Sequence, residues 1–251
     1  MMSILRFVFR LVGLILAFFI ALPVVVIFLI LTQNNQHIEK KRIVSTWSTI
    51  ICFVCGIGLE KEGCVEKSPV LIVANHVTWL DIAVIHKFKL LGYVAKQEIA
   101  KWPVIGWVAK SGETLFIHRG KVSSRKNVIE DIKKRFSQKR SIAVFPEGRA
   151  TKGDKLYTFH RQLIHAAVES NTPVQAVAIK YIKKDGKRNK DICFKKGEKF
   201  LGNVFRILTL EKSTAQLTFC EPIQTKEKTA KETALLAQKQ VAEVLAKNDY
   251  L

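Results

Sequence analysis

Acidic side chains are scarce in this sequence: 21 Asp and Glu stand against 41 Lys and Arg, a formal net charge of +20. So one-sided a balance calls for an anionic partner. Cysteine is also sparse and carries no framework. Cys52, Cys55, Cys64, Cys193 and Cys220 are odd in number, which argues against a disulfide-stapled fold and fits a reducing compartment. The Cys52-x2-Cys55 pair lies in an apolar stretch without a second pair, so both read as small buried side chains rather than metal ligands. Zinc-ligand spacing and RNP-like aromatic blocks are missing, and with them the common nucleic-acid readers. A Gly-x-Ser-x-Gly elbow is missing too, which removes the hydrolases built on a serine elbow. No internal repeat or long linker divides the chain.

What the sequence has in quantity is one long apolar run. Between Ile4 and Leu31 the only charges are Arg6 and Arg10, and Leu11 to Leu31 is uninterrupted. About 20 such residues cross a hydrocarbon core, so a membrane segment is expected over residues 1–32, with Pro23 as a kink. Ala17 to Pro23 runs straight on into further apolar residues without a small-x-small site, which argues against a cleaved leader. The next apolar stretch, Ile43 to Leu59, carries Ser45, Thr46, Ser48 and Thr49 and has Lys40, Lys41 and Arg42 before it and Lys61 after it. It reads as an interfacial helix or the second arm of a hairpin over 33–60. Residues 61–251 are comfortable as one α/β domain. The basic excess gathers in Lys121 to Arg140 and Lys180 to Lys199. Anionic lipid headgroups suit it, at about 1 kcal/mol per basic side chain near the surface. An acidic carrier protein suits the same surface, and for Lys121 to Arg140 an ordinary solvated helix face fits as well.

Downstream, apolar β-rich runs alternate with helical patterns. Strands are expected at Val70–Ala74, Gly92–Ala95, Thr114–Ile117, Ile142–Phe145, Val174–Lys180 and Ala215–Phe219. Helices are expected at Leu80–Phe88, Val104–Lys110, Ser124–Phe136, His160–Glu169 and Lys226–Ala246. The alternation predicts a mostly parallel sheet covered by helices, with ligands at the carboxyl ends of its strands. Leu201, Val204, Phe205, Ile207 and Leu208 read as core packing or as a contact for lipid or an acyl chain.

The chemistry concentrates where those strands end. Val70-Leu-Ile-Val-Ala74 is a buried strand that stops in Asn75-His76, and Asp81 follows five residues later. A helix beginning just after His76 brings the Asp81 carboxylate back toward the imidazole. Such a pair takes a proton near neutral pH, the carboxylate fixing the tautomer and stabilising the imidazolium. A second strand ends in Phe145-Pro146-Glu147-Gly148-Arg149, and between the two lies Lys96-Gln-Glu98 followed by Pro103, Gly106, Gly112 and Arg119.

In this order the three blocks resemble the membrane glycerolipid acyltransferases, specifically the 1-acyl-sn-glycerol-3-phosphate acyltransferase (lysophosphatidic acid acyltransferase) family. Asn75, His76 and Asp81 match its Asn-His-x4-Asp block. Lys96, Glu98, Pro103, Gly106, Gly112 and Arg119 match the second block, and Phe145 to Gly148 the third. The third departs from the family's Phe-Pro-Glu-Gly-Thr-Arg, with Arg149 where Thr is usual and Ala150 where Arg is usual. Pro173-Val-Gln-Ala-Val-Ala-Ile179 resembles a fourth block, and the likeness covers roughly Val70 to Tyr181.

The resemblance implies acyl transfer from acyl-CoA or acyl carrier protein to the sn-2 hydroxyl of 1-acyl-glycerol-3-phosphate. His76 would be the general base and Asp81 its orienting partner, attack would be direct, and neither metal nor cofactor is required. Asn75, Lys96, Glu98, Arg119, Glu147, Gly148 and Arg149 are the implied substrate-binding residues. Arg119 is the first candidate for a phosphate, then Lys96 and Arg149. The altered third block leaves open a non-phosphorylated acceptor such as lyso-ornithine lipid. A non-catalytic, membrane-bound basic protein is the reading from a different class. The implied location is the inner membrane, with the catalytic domain on its cytoplasmic face.

Overall fold

The computed structural model describes residues 2–21, 23, 37–118 and 120–247. Most of the second half of the N-terminal apolar run lies outside them, as does Arg119. Helix α1 (Met2–Leu16) continues into a π-helical turn, Ala17–Ala21. Met2–Ile20 is long and apolar enough to cross a membrane. Arg6 and Arg10 sit inside this helix, and an unpaired arginine at the centre of a span costs about 2.5–3.5 kcal/mol or more. Both find partners in the protein, as described below.

The stretch Ile43–Leu59, expected as an interfacial helix or the second arm of a hairpin, divides. Helix α2 (His37–Val54) ends at Gly56, whose φ of 74° is the left-handed turn that commonly stops a helix. Strand β1 (Ile57–Glu62) follows. Glu60, Lys61 and Glu62 break the apolar pattern, so β1 is not legible in the sequence. It is an edge strand, and charge on an edge blocks further pairing. Helix α2 is not free on the surface either, since Ser48, Ile51 and Cys52 are fully buried.

Strand β2 (Leu71–Ala74), helix α3 (Leu80–His86), strand β3 (Gly92–Lys96), a 3-10 turn (Gln97–Lys101), helix α4 (Ile105–Ser111) and strand β4 (Leu115–Ile117) come next. They are followed by α5 (Val122–Ser137), β5 (Ile142–Val144), α6 (His165–Glu169), β6 (Val174–Lys183), α7 (Phe200–Thr209), β7 (Ser213–Phe219) and α8 (Ala230–Ala246). Among the described residues the strands form one sheet in the order β1-β7-β6-β2-β5-β3-β4. Every pairing is parallel except β6 with β7. The fold is therefore the mostly parallel, helix-covered α/β architecture that the alternating pattern predicts.

Strand β2 lies centrally and shows why its sequence is continuously apolar. Ile72 and Ala74 pack on one face with Leu80, Ile85, Ile207 and the α1–α2 residues Leu14 and Ile51. Leu71 and Val73 pack on the other with Ile132, Ile142, Ala166 and Val241. Alternate side chains thus enter two separate cores, as a strand buried on both faces requires.

Two helices start later than the pattern predicts, and one helix is added. The helix expected at His160–Glu169 is only His165–Glu169, because the His160 N–H donates to Pro146 O and Phe159 N–H to Gln238 Oε1, holding that segment extended. The last helix starts at Ala230 rather than Lys226, since Thr229 and Glu232 form a capping box. Phe200–Thr209, which reads in sequence as core packing or as a lipid or acyl-chain contact, is a helix with Val204, Ile207 and Leu208 inward and Leu201 and Phe205 exposed.

Candidate active site

Parallel pairing places β2 beside β5, Val73 against Val144, so their carboxyl ends release His76 and Glu147 side by side. Strand β3 lies on the far side of β5 and ends at Lys96. The chain leaves β2 for β3 and β4, returns to β5 between β2 and β3, and then crosses to β6 on the other side of β2. Ligands in open α/β sheets bind at strand ends around such a reversal.

Between His76 and α3 the backbone turns tightly around the Asp81 carboxylate. Oδ2 accepts from His76 Nδ1 at 2.7 Å, Val77 N–H at 2.7 Å and Thr78 N–H at 3.0 Å. Oδ1 accepts from the Tyr181 hydroxyl at 2.8 Å. The five-residue spacing is what lets a first-turn carboxylate meet the amides that precede its own helix, where the helix dipole also favours negative charge. Asp81 is fully buried, while the His76 side chain keeps 17% exposure. A neutral ring donating from Nδ1 to Asp81 keeps its lone pair on Nε2. The imidazole lies flat on Phe145, with centroids 3.9 Å apart and planes 13° from parallel.

Glu147 is placed differently from the expected substrate contact. It is buried, with Oε1 accepting from His76 N–H and Oε2 from Tyr157 N–H, each at 3.0 Å. Burial pushes this carboxyl up from its ordinary range, while the two amides and His76 pull it down. Its position ties the end of β5 to the backbone of His76. Asn75, unlike Glu147, does not line the site. It is buried, its Nδ2 donating to Ile179 O at 3.0 Å and its Oδ1 accepting from Ile179 N–H at 2.8 Å, which clamps the end of β2 to β6. Gly148 turns the chain with a φ of 73°. Arg149 is exposed, its guanidinium 5.1 Å over the Tyr157 ring.

An open cavity of about 2370 Å³ has His76 in its wall. Lys96, Glu98, Glu147, Gly148 and Arg149 also line it, whereas Asn75 does not. Arg119 lies outside the described residues, although its neighbours His118 and Gly120 are in the lining. Arg125 and Lys195, which no motif block marks, are further basic residues there. Thr78, Tyr181 and Phe145 are partners of the His–Asp pair that no local spacing reveals. Tyr181 lies a hundred residues from Asp81, and only β6 lying against β2 brings it there. Among the described residues no cluster of three or more His, Cys, Asp or Glu side chains is placed to hold a metal ion.

Away from the charges the cavity is apolar. Trp79, at the N-cap of α3, and Ile82, Ala83 and His86 form one helical stripe facing it, and Trp47 and Ile51 of α2 stand in the same lining. His86 is the titratable member of that stripe. Burial pushes its imidazole down to about 4, opposed only by a hydrogen bond with the Lys89 backbone, and its ring meets the Tyr93 ring edge-on at 4.9 Å. An unfolded histidine titrates near 6.5, so below that pH the unfolded chain takes up a proton that the folded one refuses. The sign follows: the protein keeps full stability from this residue above about 6.5 and loses it as pH falls toward 4, by on the order of 3 kcal/mol. Urea melts at pH 7 and pH 4.5 should show this difference in the wild type and a smaller one in His86→Phe.

The geometry has relatives. The Acyltransferase family model matches residues 57–180. The lyso-ornithine lipid O-acyltransferase of Pseudomonas aeruginosa is 32% identical over 202 residues, covering 80% of this chain and 78% of that protein. This chain belongs to the acyltransferase family. The 1-acyl-sn-glycerol-3-phosphate acyltransferase of Neisseria gonorrhoeae is 34% identical over 134 residues, 53% of this chain and about half of that protein's length, 52%. The crystal structure of the 1-acyl-sn-glycerophosphate (LPA) acyltransferase PlsC from Thermotoga maritima superposes with a TM-score of 0.71. It covers 98% of this chain and 97% of that one at 19% identity, which shows a shared fold. The chain is thus an acyltransferase, and the matched residues 57–180 include both the His76–Asp81 pair and the Phe145–Gly148 loop.

Proposed function

We propose that this acyltransferase moves a fatty acyl group from acyl-CoA or acyl carrier protein to a lysolipid hydroxyl, with His76 as general base and Asp81 as its orienting partner. The observation that carries the reading is the 2.7 Å His76–Asp81 contact at the wall of a large, mostly apolar cavity. His76 Nε2 takes the hydroxyl proton as the acceptor oxygen attacks the thioester carbonyl. The new C–O bond forms, the C–S bond breaks, and the departing thiolate recovers the proton from the imidazolium. No protein nucleophile is needed, and the buried cysteines do not suit that role: burial pushes Cys52 and Cys55 up to about 12 and Cys193 up to about 11.

For the acceptor, 1-acyl-glycerol-3-phosphate is the first reading. Lys96, Arg125 and Arg149 in the lining supply cations of the kind a phosphate monoester wants. Lyso-ornithine lipid is the second, favoured by the Pseudomonas relative, whose similarity extends over four fifths of this chain. The apolar exposed side of α1, with Leu5, Phe9, Val12 and Leu16 outward, seats the protein on the membrane that holds either acceptor. A donor made in the cytoplasm puts the catalytic domain on the cytoplasmic face of the inner membrane.

The deciding experiment offers both acceptors in parallel to the reconstituted protein with one acyl-CoA, His76→Ala serving as the blank. Faster transfer to 1-acyl-glycerol-3-phosphate is expected. Faster transfer to lyso-ornithine lipid would replace the acceptor and leave the roles of His76 and Asp81 standing. Transfer to neither acceptor would overturn both readings of the substrate.

A further inference from the structure

The two arginines in α1 are held by the far end of α7. Arg10 is buried, and its Nη1 donates to Leu210 O at 2.7 Å and to Ile207 O and Leu208 O at 3.4 Å each. Arg6 Nη1 donates to Thr209 O at 3.1 Å. These carbonyls lie at the end of a helix, which carries the negative end of the dipole and where most of the last C=O groups lack intrahelical partners, though Ile207 O also accepts from Leu210 N–H. Room for the guanidinium comes from Gly56, where a Cβ would collide with Arg10 Nη2.

The other end of α7 reaches the active site. Phe200 packs on Trp79 and Trp102 of the cavity wall, with ring centroids 6.0 and 5.4 Å away. Asn203 is fully buried, and its Oδ1 accepts from the Thr78 hydroxyl at 3.3 Å. Thr78 in turn gives its N–H to Asp81 Oδ2. A ten-residue helix is about 15 Å long and moves as one piece. One end is therefore fixed by the apolar N-terminal helix and the other abuts the turn that shapes the His–Asp pair.

We propose that Arg10 is a positioning residue that couples the seating of α1 to the geometry of His76 and Asp81 through α7. The proposal rests on the reading of His76 and Asp81 as the acyl-transfer site. It differs from simple anchoring, in which any apolar α1 would serve. With the guanidinium removed, α1 still presents its exposed face to lipid, but the C-terminus of α7 loses its clamp and Asn203 no longer holds Thr78 in register.

The test uses the full chain in lipid vesicles, with a lysolipid acceptor and acyl-CoA, comparing wild type, His76→Ala, Arg10→Met, Arg10→Lys and Asn203→Ala. Arg10→Met is expected to lower kcat by about tenfold while KM for acyl-CoA and co-flotation with vesicles stay at wild-type values. Arg10→Lys, whose ammonium still reaches the carbonyls, should recover most of kcat. Asn203→Ala should reproduce the loss, and combined with Arg10→Met it should add little, because both cut the same connection. Gly56→Ala keeps the charge but displaces the guanidinium, and it carries the test should Arg10→Met not fold. Wild-type kcat in a folded Arg10→Met or Gly56→Ala protein would overturn the coupling. A loss of activity that tracks lost flotation, or full additivity with Asn203→Ala, would overturn it too. Undiminished turnover in His76→Ala would instead refute the reading of the site, and is seen separately from any effect at Arg10.

Discussion

His76→Ala should lower kcat by roughly 10²- to 10⁴-fold, the range that a positioned general base supplies. The fold should survive the change, and the reason lies in the bonding of its partner. Without the imidazole, Asp81 keeps the Val77 and Thr78 amides and the Tyr181 hydroxyl, so the buried carboxylate is not stripped of donors. The lost ring leaves a face of Phe145 open to a cavity that is already accessible, which creates no sealed void. Thiol release from acyl-CoA, measured with and without acceptor, reads the effect directly. Retention of acceptor-dependent release within a few-fold of wild type would remove His76 from the reaction. An unfolded variant would contradict the bonding argument, and circular dichroism distinguishes the two.

The sequence disclosed the strands that build this site because they are buried on both faces and therefore read as unbroken apolar runs. Strands β2 and β5 were legible for that reason, and with them the positions of His76 and Glu147. Strand β1 was not, since an edge strand facing water needs only one inward residue in two and carries charge on the rest. Helix α7 was recognisable as apolar but ambiguous between core and contact, and the structure shows both uses on opposite faces. The His76–Asp81 pair could be read from spacing because its members are five residues apart. Its distant partner Tyr181, and Asn203, which holds Thr78 beside it, come from remote segments, and no local pattern announces them. Glu147 and Asn75 show the converse difficulty. Their place in the family blocks marks them as functional, but only the coordinates reveal backbone clamps at a β5 end and a β2 end. Arg6 and Arg10 stood out as charges in an apolar run, and the helix end that receives them lies two hundred residues away.

Asp81→Asn separates the two things a carboxylate does for a histidine. Oδ2 receives three donors, so an asparagine that preserves the turn must put its carbonyl oxygen there and its amide NH2 toward Tyr181. A tyrosine hydroxyl accepts as well as donates, so it can rotate to receive that NH2. The His76 ring then keeps both its orientation and its proton on Nδ1, and what disappears is the negative charge that balances the imidazolium. In the serine-protease triad the same substitution costs about 10⁴-fold, because there it also leaves the wrong tautomer. Here the tautomer is protected by the Val77 and Thr78 amides, which admit no second NH2, so a smaller loss of roughly 10²-fold in kcat is expected. KM for the donor should be unchanged, since Asp81 is buried behind the ring and touches no ligand. Activity near wild type would show that Asp81 serves the turn alone and that His76 needs no counter-charge. A loss as large as in His76→Ala, with the fold intact, would show that charge balance rather than ring orientation carries the carboxylate's share of the catalysis.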